Sequence, residues 1–190
     1  MPSPTYTRIA STTLVSETPT FDFTGITGTY YDLRLRFSLR TNVAGQQSTD
    51  INLTFNGATT NNYASVMLYN NSTTTSFGVS NGVSGSGFAA ANSVWGGGVA
   101  PAAASAVANT FSNGQILIPG YVNTSNRPKA RYALTDWGTS TTGSGIMFYG
   151  LVGTRSAVLA AITRVTLTCA SGSFVVGSTV SLYGCTNTIT

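Results

Sequence analysis

The feature of this sequence that most limits its fold is a strict alternation of apolar and polar side chains. It is clearest in the segment YDLRLRFSLR, from Tyr31 to Arg40. Leucine and phenylalanine occupy the odd positions from 33 to 39, and arginine occupies positions 34, 36 and 40. Because successive side chains of a β-strand point to opposite faces, this pattern predicts a strand with one apolar face and one cationic face.

Similar short runs recur along the chain, separated by residues that favour turns. The turn signals are Asn56-Gly57, Asn70-Asn71, Pro119-Gly120, Asn126 before Arg127-Pro128, and Thr142-Gly143. The predicted strands are Tyr6 to Leu14, Thr20 to Phe23, Tyr31 to Thr41, Asp50 to Phe55, Tyr63 to Tyr69, Phe111 to Ile118, Lys129 to Trp137, Gly145 to Val152, Ile162 to Cys169 and Thr179 to Gly184. These runs, without a long helical pattern, predict a single all-β domain over residues 1–190, an antiparallel β-sandwich of jelly-roll type.

The segment from 78 to 110 departs from this rhythm. It is rich in Gly, Ala and Ser, and its largest side chains are Phe88 and Trp95, which we take as candidate partner contacts. We expect an insertion here, either a long loop or a short helix at Pro101 to Val107, because alanine favours helix and proline is tolerated in a first turn. Residues 185–190 are predicted to form a C-terminal tail.

Charge is sparse in this chain. Charged residues make up 7% of the sequence and the net charge is +4, whereas average soluble proteins contain about 25% charged residues. So few cations are not typical of a dedicated nucleic-acid binder. No apolar run reaches the ~18 residues of a membrane-spanning helix, and the first residues show no secretory signal pattern. We therefore expect a protein made in the cytoplasm that binds neither nucleic acid nor membrane.

Six of the nine cations fall into two rows with alternate spacing. The first row is Arg34, Arg36 and Arg40, and the second is Arg127, Lys129 and Arg131 in RPKARYALTDW. Like charges directly opposite each other destabilise paired strands, so the rows should avoid direct pairing or share an anionic partner. Each row is interpreted either as a solvated face or as a contact with a protein or glycan.

The middle of the chain carries no charge at all, from the residue after Asp50 to the residue before Arg127. Two interpretations stay open for this stretch. It is buried against other copies of the chain or another protein, or its surface is coated with hydroxyl and amide groups.

The residue types needed for common catalytic sites are missing or scattered. The sequence has no histidine, which excludes Ser-His-Asp and Cys-His arrangements. Its five acids do not form the close pair of a glycosidase, and its glycine-rich stretches do not match a phosphate-binding loop. We predict no catalytic residue, no cofactor and no metal site.

The two cysteines, Cys169 and Cys185, lie on the last two predicted strands. If a tight turn at Gly177-Ser178 joins these strands, the cysteines come almost opposite each other; a longer loop, residues 171–178, puts them out of register. We interpret them as two buried thiols, since Cys is among the most buried residue types.

Several sequence blocks together resemble a group of small virion proteins of tailed bacteriophages. The blocks are TYTRIASTTL, YYDLRLRFSLRT, LTFNG followed by NNYASVMLYNN, and ITRVTLTCASGSFVVGSTVSLYG. The similarity runs from about Tyr6 to Gly184, is interrupted by residues 78–110, and rests on the order of strand and turn blocks. It implies a non-enzymatic structural protein of the virion, either a head-decoration (cement) protein or a tail-tip or fibre domain.

Within that resemblance, a place on the head is favoured. The chain has no coiled-coil heptads and no collagen-like repeats from which to build a fibre. The expected partners are other virion proteins, above all the major capsid protein, and further copies of the chain, with a trimer expected by family analogy. The alternative is a tail module that binds a host surface glycan through Trp95, Tyr121 and Trp137.

Overall fold

The computed structural model describes residues 5–44, 51–58, 107–125 and 160–186 with their side chains. Further strand residues are described by their backbone alone: 48–49, 63–70, 77–82, 100–101, 129–136 and 146–154. Within these ranges the secondary structure consists of strands and turns, with no helix. The predicted all-β class is confirmed.

The described part of the chain contains thirteen strands. In order they are β1 (Tyr6–Thr13), β2 (Thr20–Phe23), β3 (Asp32–Leu39), β4 (Ser48–Thr49), β5 (Ile51–Phe55), β6 (Tyr63–Asn70), β7 (Phe77–Gly82), β8 (Ala100–Pro101), β9 (Ser112–Pro119), β10 (Lys129–Asp136), β11 (Ile146–Thr154), β12 (Val165–Cys169) and β13 (Thr179–Cys185). All ten predicted strands are present, with ends within three residues of those predicted.

These strands form two larger antiparallel sheets. The first has the order β1-β13-β3-β9-β10-β11-β6-β7, and side chains are described for its first four strands. The second has the order β2-β12-β5, and the short strands β4 and β8 pair with each other. In the first sheet β1 is an edge strand and pairs with β13, so the first and last strands of the chain are neighbours.

The apolar faces of the two sheets pack against each other. β3 contributes Leu33, Leu35, Phe37 and Leu39, which are all buried. These side chains belong to one cluster with the inward residues of β13 and β9 and with those of β2, β5 and β12 from the second sheet. Two antiparallel sheets that share one core are compatible with the predicted β-sandwich.

The turn after β5 has the conformation that its sequence predicts. Asn56 and Gly57 have φ values of 51° and 69°, and the amide of Ala58 donates to the carbonyl oxygen of Phe55. Positive φ at both central residues defines the type I′ turn that Asn-Gly favours. The Asn56 side chain also accepts a hydrogen bond from the amide of Arg164 at 3.1 Å, which ties the turn to the segment that enters β12.

The segment predicted as an insertion, residues 78–110, begins inside a strand. Residues 77–82 form β7, which pairs with β6 although FGVSNG shows no alternation. A turn at residues 107–110 is also described. Residues 83–99 and 102–106 lie outside the described residues, and with them most of the predicted short helix.

The strands that carry the cysteines do not form a hairpin. β12 belongs to the second sheet and β13 to the first, so the chain crosses from one sheet to the other between them. Phe174 in this crossing makes isolated bridges with Thr18 and Thr41. Neither hairpin arrangement considered for Cys169 and Cys185 therefore occurs.

Candidate partner-binding surface

The cationic face predicted for β3 points away from the core. Arg34 is half-buried and Arg36 is exposed, while the leucines and the phenylalanine between and around them are buried. Arg34 lies opposite Tyr183 of β13 and Leu117 of β9 in the register of the sheet. Directly opposed residues share a face. We use the term outer face for the outward side of the first four strands, whose residues include Tyr6, Arg8, Ser11, Tyr183, Ser181, Arg34, Arg36, Leu117 and Gln115.

Arg8 reaches the outer face because β1 contains a β-bulge. The pairing of β1 with β13 shifts register between residues 8 and 10, which leaves Ile9 without a partner. Arg8 lies opposite Tyr183, and Ser11 lies opposite Ser181, so both point outward although three residues separate them in sequence. Strict alternation would place Arg8 and Ser11 on opposite faces, and the sequence pattern alone does not identify this third arginine.

Two tyrosine rings support the arginines of β3. The guanidinium carbon of Arg34 lies 4.5 Å from the centre of the Tyr6 ring, and that of Arg36 lies 6.0 Å from the centre of the Tyr183 ring. A guanidinium stacked on an aromatic ring is stabilised by the ring and can still donate hydrogen bonds from its edges. The rings thus restrict the arginines without neutralising them.

No ion pair neutralises Arg8, Arg34 or Arg36 within the part of the chain that the structure describes. Asp32 begins β3, but its carboxylate accepts a hydrogen bond from the Gly120 amide at 2.8 Å. The Nε atom of Arg34 is buried and has no hydrogen-bond partner among the described residues. A buried hydrogen-bond donor without an acceptor is unfavourable.

The second sheet presents a different outward face. Asp22 accepts hydrogen bonds from Nε and Nη2 of Arg164 at 2.8 and 2.9 Å, and a third from the hydroxyl of Thr166 at 2.8 Å. The bidentate contact with Arg164 holds the pKa of the Asp22 carboxyl below its ordinary value. The positive charge of Arg164 is therefore balanced beside its own sheet.

Arg40 does not belong to the outer face. It follows the last residue of β3 and is 7% exposed. Its Nη1 donates to the carbonyl oxygens of Val107 and Thr110 at 2.7 and 2.8 Å. The alternation that predicted a partner contact for Arg40 ends with the strand at Leu39, and the structure gives this cation a structural role at the 107–110 turn.

The second predicted row of cations lies partly on β10. Lys129 and Arg131 belong to this strand, whereas Arg127 lies outside the described residues. β9 separates β10 from β3, so the two rows do not pair directly. Leu117 of β9 lies opposite Arg34 of β3 on one side and opposite Arg131 of β10 on the other. This separation agrees with the expectation from like-charge repulsion.

The aromatic residues predicted to contact a partner or a glycan are either buried or outside the described residues. Phe88, Trp95 and Trp137 lie outside the described residues. Tyr121 is a core residue that is 2% exposed, and its hydroxyl donates to the carbonyl oxygen of Thr27. Tyr121 is therefore not available as a surface platform.

Cys169 and Cys185 are free and buried, which confirms the prediction of two buried thiols. Burial raises the pKa of Cys169 to about 12 and also raises that of Cys185. In the described ranges, no three His, Cys, Asp or Glu side chains form a group that would hold a metal ion. The same ranges contain no helix with the length and apolar character needed to cross a membrane.

The fold and this surface define an all-β protein of two antiparallel sheets with a cationic outer face. Comparison with protein-family models, with curated proteins and with solved structures finds no match.

Proposed function

We propose that this chain is a non-enzymatic structural protein of a tailed-bacteriophage virion, and that it decorates the outer surface of the head. Its partners in this proposal are the major capsid protein and further copies of the chain in a homotrimer. It is made in the bacterial cytoplasm and assembled there onto the particle.

The sequence blocks support the virion part of the proposal. They resemble small virion proteins in the order of their strands and turns, from the block at TYTRIASTTL to the one at ITRVTLTCASGSFVVGSTVSLYG. Many copies on a symmetric shell do not need a strong single contact, because symmetry and multivalency multiply weak contacts.

The observation that carries the decoration role is the difference between the two outward faces. On the outer face Arg8, Arg34 and Arg36 have no ion-pair partner among the described residues, whereas Arg164 beside the second sheet is paired with Asp22. A domain with one cationic face and one balanced face turns its cationic side toward an acidic surface. Such a domain is suited to sitting on a shell in one orientation.

The finer architecture belongs to the same proposal. We propose a jelly-roll path for the sandwich, which the pairing of β3 with the distant strand β9 supports, because Greek-key folds contain such long connections. We also propose that the Gly- and Ala-rich sequence between β7 and β8 is an insertion in this path, with Phe88 and Trp95 in contact with a partner.

Copy number tests the proposal. Quantitative mass spectrometry of purified particles, with the major capsid protein as internal standard, should find this chain in hundreds of copies, because a shell repeats each attachment site by symmetry. Its absence from purified particles would contradict the virion role. A count of only a few copies would contradict the head position and support the tail alternative.

A further inference from the structure

Strand β1 leaves one of its backbone edges open. It is the last strand on its side of the first sheet and pairs with β13 alone. The amide of Leu14, directly after the strand, donates to the carbonyl oxygen of Ser178 on the β13 side at 2.9 Å. Because successive residues of a strand direct their N–H and C=O groups to opposite sides, those of Thr13 and Ser11 point away from β13. These two residues thus offer backbone donors and acceptors to a further strand.

The side chains of Ser11 and Thr13 agree with this backbone direction. The hydroxyl oxygens of Ser11 and Ser181 lie 2.7 Å apart, and those of Thr13 and Thr179 lie 2.9 Å apart. In an antiparallel sheet, side chains come closest in the pairs that do not exchange backbone hydrogen bonds. The backbone groups of Ser11 and Thr13 are therefore not used by β13.

The open edge carries little protection against another strand. Natural proteins protect such an edge with proline, lysine or a β-bulge. β1 contains the bulge at Ile9, but neither proline nor lysine. After the bulge, its pairing with β13 is regular from Ala10 to Thr13, and residues 11–13 are exposed. This part of the edge is accessible to an incoming strand.

Positive charge borders the open edge on the side of the outer face. Arg8 belongs to β1 itself and is exposed. The Arg34 guanidinium carbon lies 4.5 Å from the centre of the Tyr6 ring, so a second cation reaches this strand from β3. No described acid forms an ion pair with either arginine. A side chain on a strand added beside β1 would lie next to Arg8, because the Cβ atoms of opposed residues are about 4.5–5.5 Å apart.

We propose that the open edge of β1 binds an extended acidic segment of a neighbouring protein by strand addition, with the carboxylates of that segment on the side of Arg8. The edge selects a polypeptide, because main-chain hydrogen bonds provide the affinity in strand addition. The cations select acidic side chains at every second residue, because alternate residues of a strand share a face.

A second copy of the chain fits this edge less well. Two β1 strands paired about a two-fold axis would form one continuous sheet, with both outer faces on the same side. Arg8, Arg34 and Arg36 of both copies would then share one surface, where like charges repel. Charge complementarity therefore favours an acidic segment over a second copy.

This inference rests on the proposed function for the identity of the neighbouring protein, and it is tested without virions. The probe is a fluorescein-labelled peptide that repeats Glu-Thr, and binding is followed by fluorescence anisotropy at low salt. One matched peptide repeats Gln-Thr and has no charge. The other is the Glu-Thr peptide with methylated backbone nitrogens, which keeps its carboxylates and loses its backbone donors. We expect the unmodified Glu-Thr peptide to bind more tightly than both.

Variants of the protein locate the binding site. Ser11→Pro should weaken binding of the Glu-Thr peptide by about fivefold or more, because it removes an outward donor and places a ring at the edge. Arg8→Gln should weaken binding by about two- to fivefold, the usual effect of a cross-strand charge pair. Arg164→Gln is the matched control, since it removes a charge beside the second sheet, and it should leave binding unchanged.

Unfolding midpoints establish that the variants are folded. Proline is tolerated in an edge strand where the N–H group faces solvent. If Ser11→Pro does not fold, the methylated peptide still tests the backbone contact, and Arg8→Gln, at an exposed position, still tests the charge.

Four results would overturn the inference. Undetectable binding of the Glu-Thr peptide would exclude the proposed partner. Equal binding of the Gln-Thr peptide or of the methylated peptide would show that charge or strand pairing is not recognised. An equal loss with Arg164→Gln would place binding elsewhere. Self-association in analytical ultracentrifugation that Ser11→Pro abolishes would assign the edge to a second copy.

The outcome for this edge is separable from the proposed function. Undetectable peptide binding together with hundreds of copies per virion would reject this inference alone and leave the decoration role in place. Peptide binding by a chain that is absent from purified virions would reject the proposed function and keep the acidic strand partner.

Discussion

The Arg34 guanidinium on β3 stacks on the Tyr6 ring of β1 at 4.5 Å, although β13 lies between the two strands. The contact passes over the intervening strand on the outer face. It joins the edge strand to the third strand of the sheet and fixes a cation that no described acid neutralises. The position of the charge thus depends on an uncharged neighbour.

Replacing this neighbour should weaken anion binding without changing the charge. Tyr6→Ala removes the ring under Arg34, and a cation–π contact at an exposed site contributes about 0.5–1 kcal/mol. We expect the affinity for virions that lack the chain to fall by about two- to fivefold, since 1.4 kcal/mol corresponds to a factor of ten. Tyr31→Ala is the control, because Tyr31 is 63% exposed and precedes the strand. An equal effect of both variants would contradict the supporting role of Tyr6.

Gly184 provides a test of packing near the end of β13. A Cβ atom at this position would overlap the ring of Tyr30, which packs against the core. Overpacking of this kind typically costs about 1–3 kcal/mol. Gly184→Ala should therefore lower the free energy of unfolding by about that amount, which is measured as a lower midpoint of urea unfolding. At Gly28 the added Cβ atom would meet only Val122 Cγ1 at 3.5 Å, and Gly28→Ala should change stability by less than about 0.5 kcal/mol. Equal midpoints for the two variants would contradict the close approach of Gly184 to Tyr30.

The Asp22–Arg164 pair predicts a pH dependence of stability. The contact with Arg164 lowers the folded-state pKa of Asp22 below its ordinary value of 3.8. A lowered pKa stabilises the fold at pH values above the ordinary pKa, and this contribution is lost as the pH falls through the folded pKa. The free energy of unfolding at neutral pH should therefore be larger for wild type than for Asp22→Asn. The difference should be small, because the Asp22–Arg164 pair is partly exposed to solvent.

Urea unfolding across the acidic range measures this dependence. The difference between wild type and Asp22→Asn should shrink as the pH falls below about 4. Arg164→Gln should show the same loss, because it removes the other half of the pair. A difference that stays constant into strong acid would assign the effect of Asp22 to something other than its charge.

The thiols should be inert in the folded protein. Only the thiolate reacts with disulfide reagents, and burial raises the pKa of Cys169 to about 12. We expect neither cysteine to react with Ellman's reagent in the native state at mildly alkaline pH, and both to react once the protein is unfolded in guanidinium chloride. The variants Cys169→Ala and Cys185→Ala assign the signal to each site. Rapid reaction of the native protein would contradict the burial of the thiol concerned.

Most strands follow from local sequence patterns. The alternation in β3 predicts both its burial and its outward arginines, because side-chain direction in a strand depends only on position along it. The Asn56-Gly57 turn is likewise predicted by the φ preferences of two adjacent residues. Such features need no knowledge of the rest of the chain.

The features that the sequence does not predict depend on pairing between distant segments. β7 lacks alternation and is a strand because it pairs with β6. The outward direction of Arg8 follows from a bulge that exists only in the pairing of β1 with β13. The burial of Arg40 requires the carbonyl groups of Val107 and Thr110, which lie far away in sequence. The candidate surface was therefore predicted from the cation rows of two strands, β3 and β10, while the place of Arg8 on it is a property of the sheet.

The most direct test of the central claim is attachment to the particle. Purified wild-type protein, the Arg34→Glu/Arg36→Glu variant and the Arg164→Glu control are each added to virions that lack the chain, and the bound fraction is measured after sedimentation across a salt series. The outer face is proposed to contact an acidic shell, so wild type and the control should bind and lose occupancy as salt rises, while the folded outer-face variant should not bind. Equal attachment of all three proteins, independent of salt, would contradict the account.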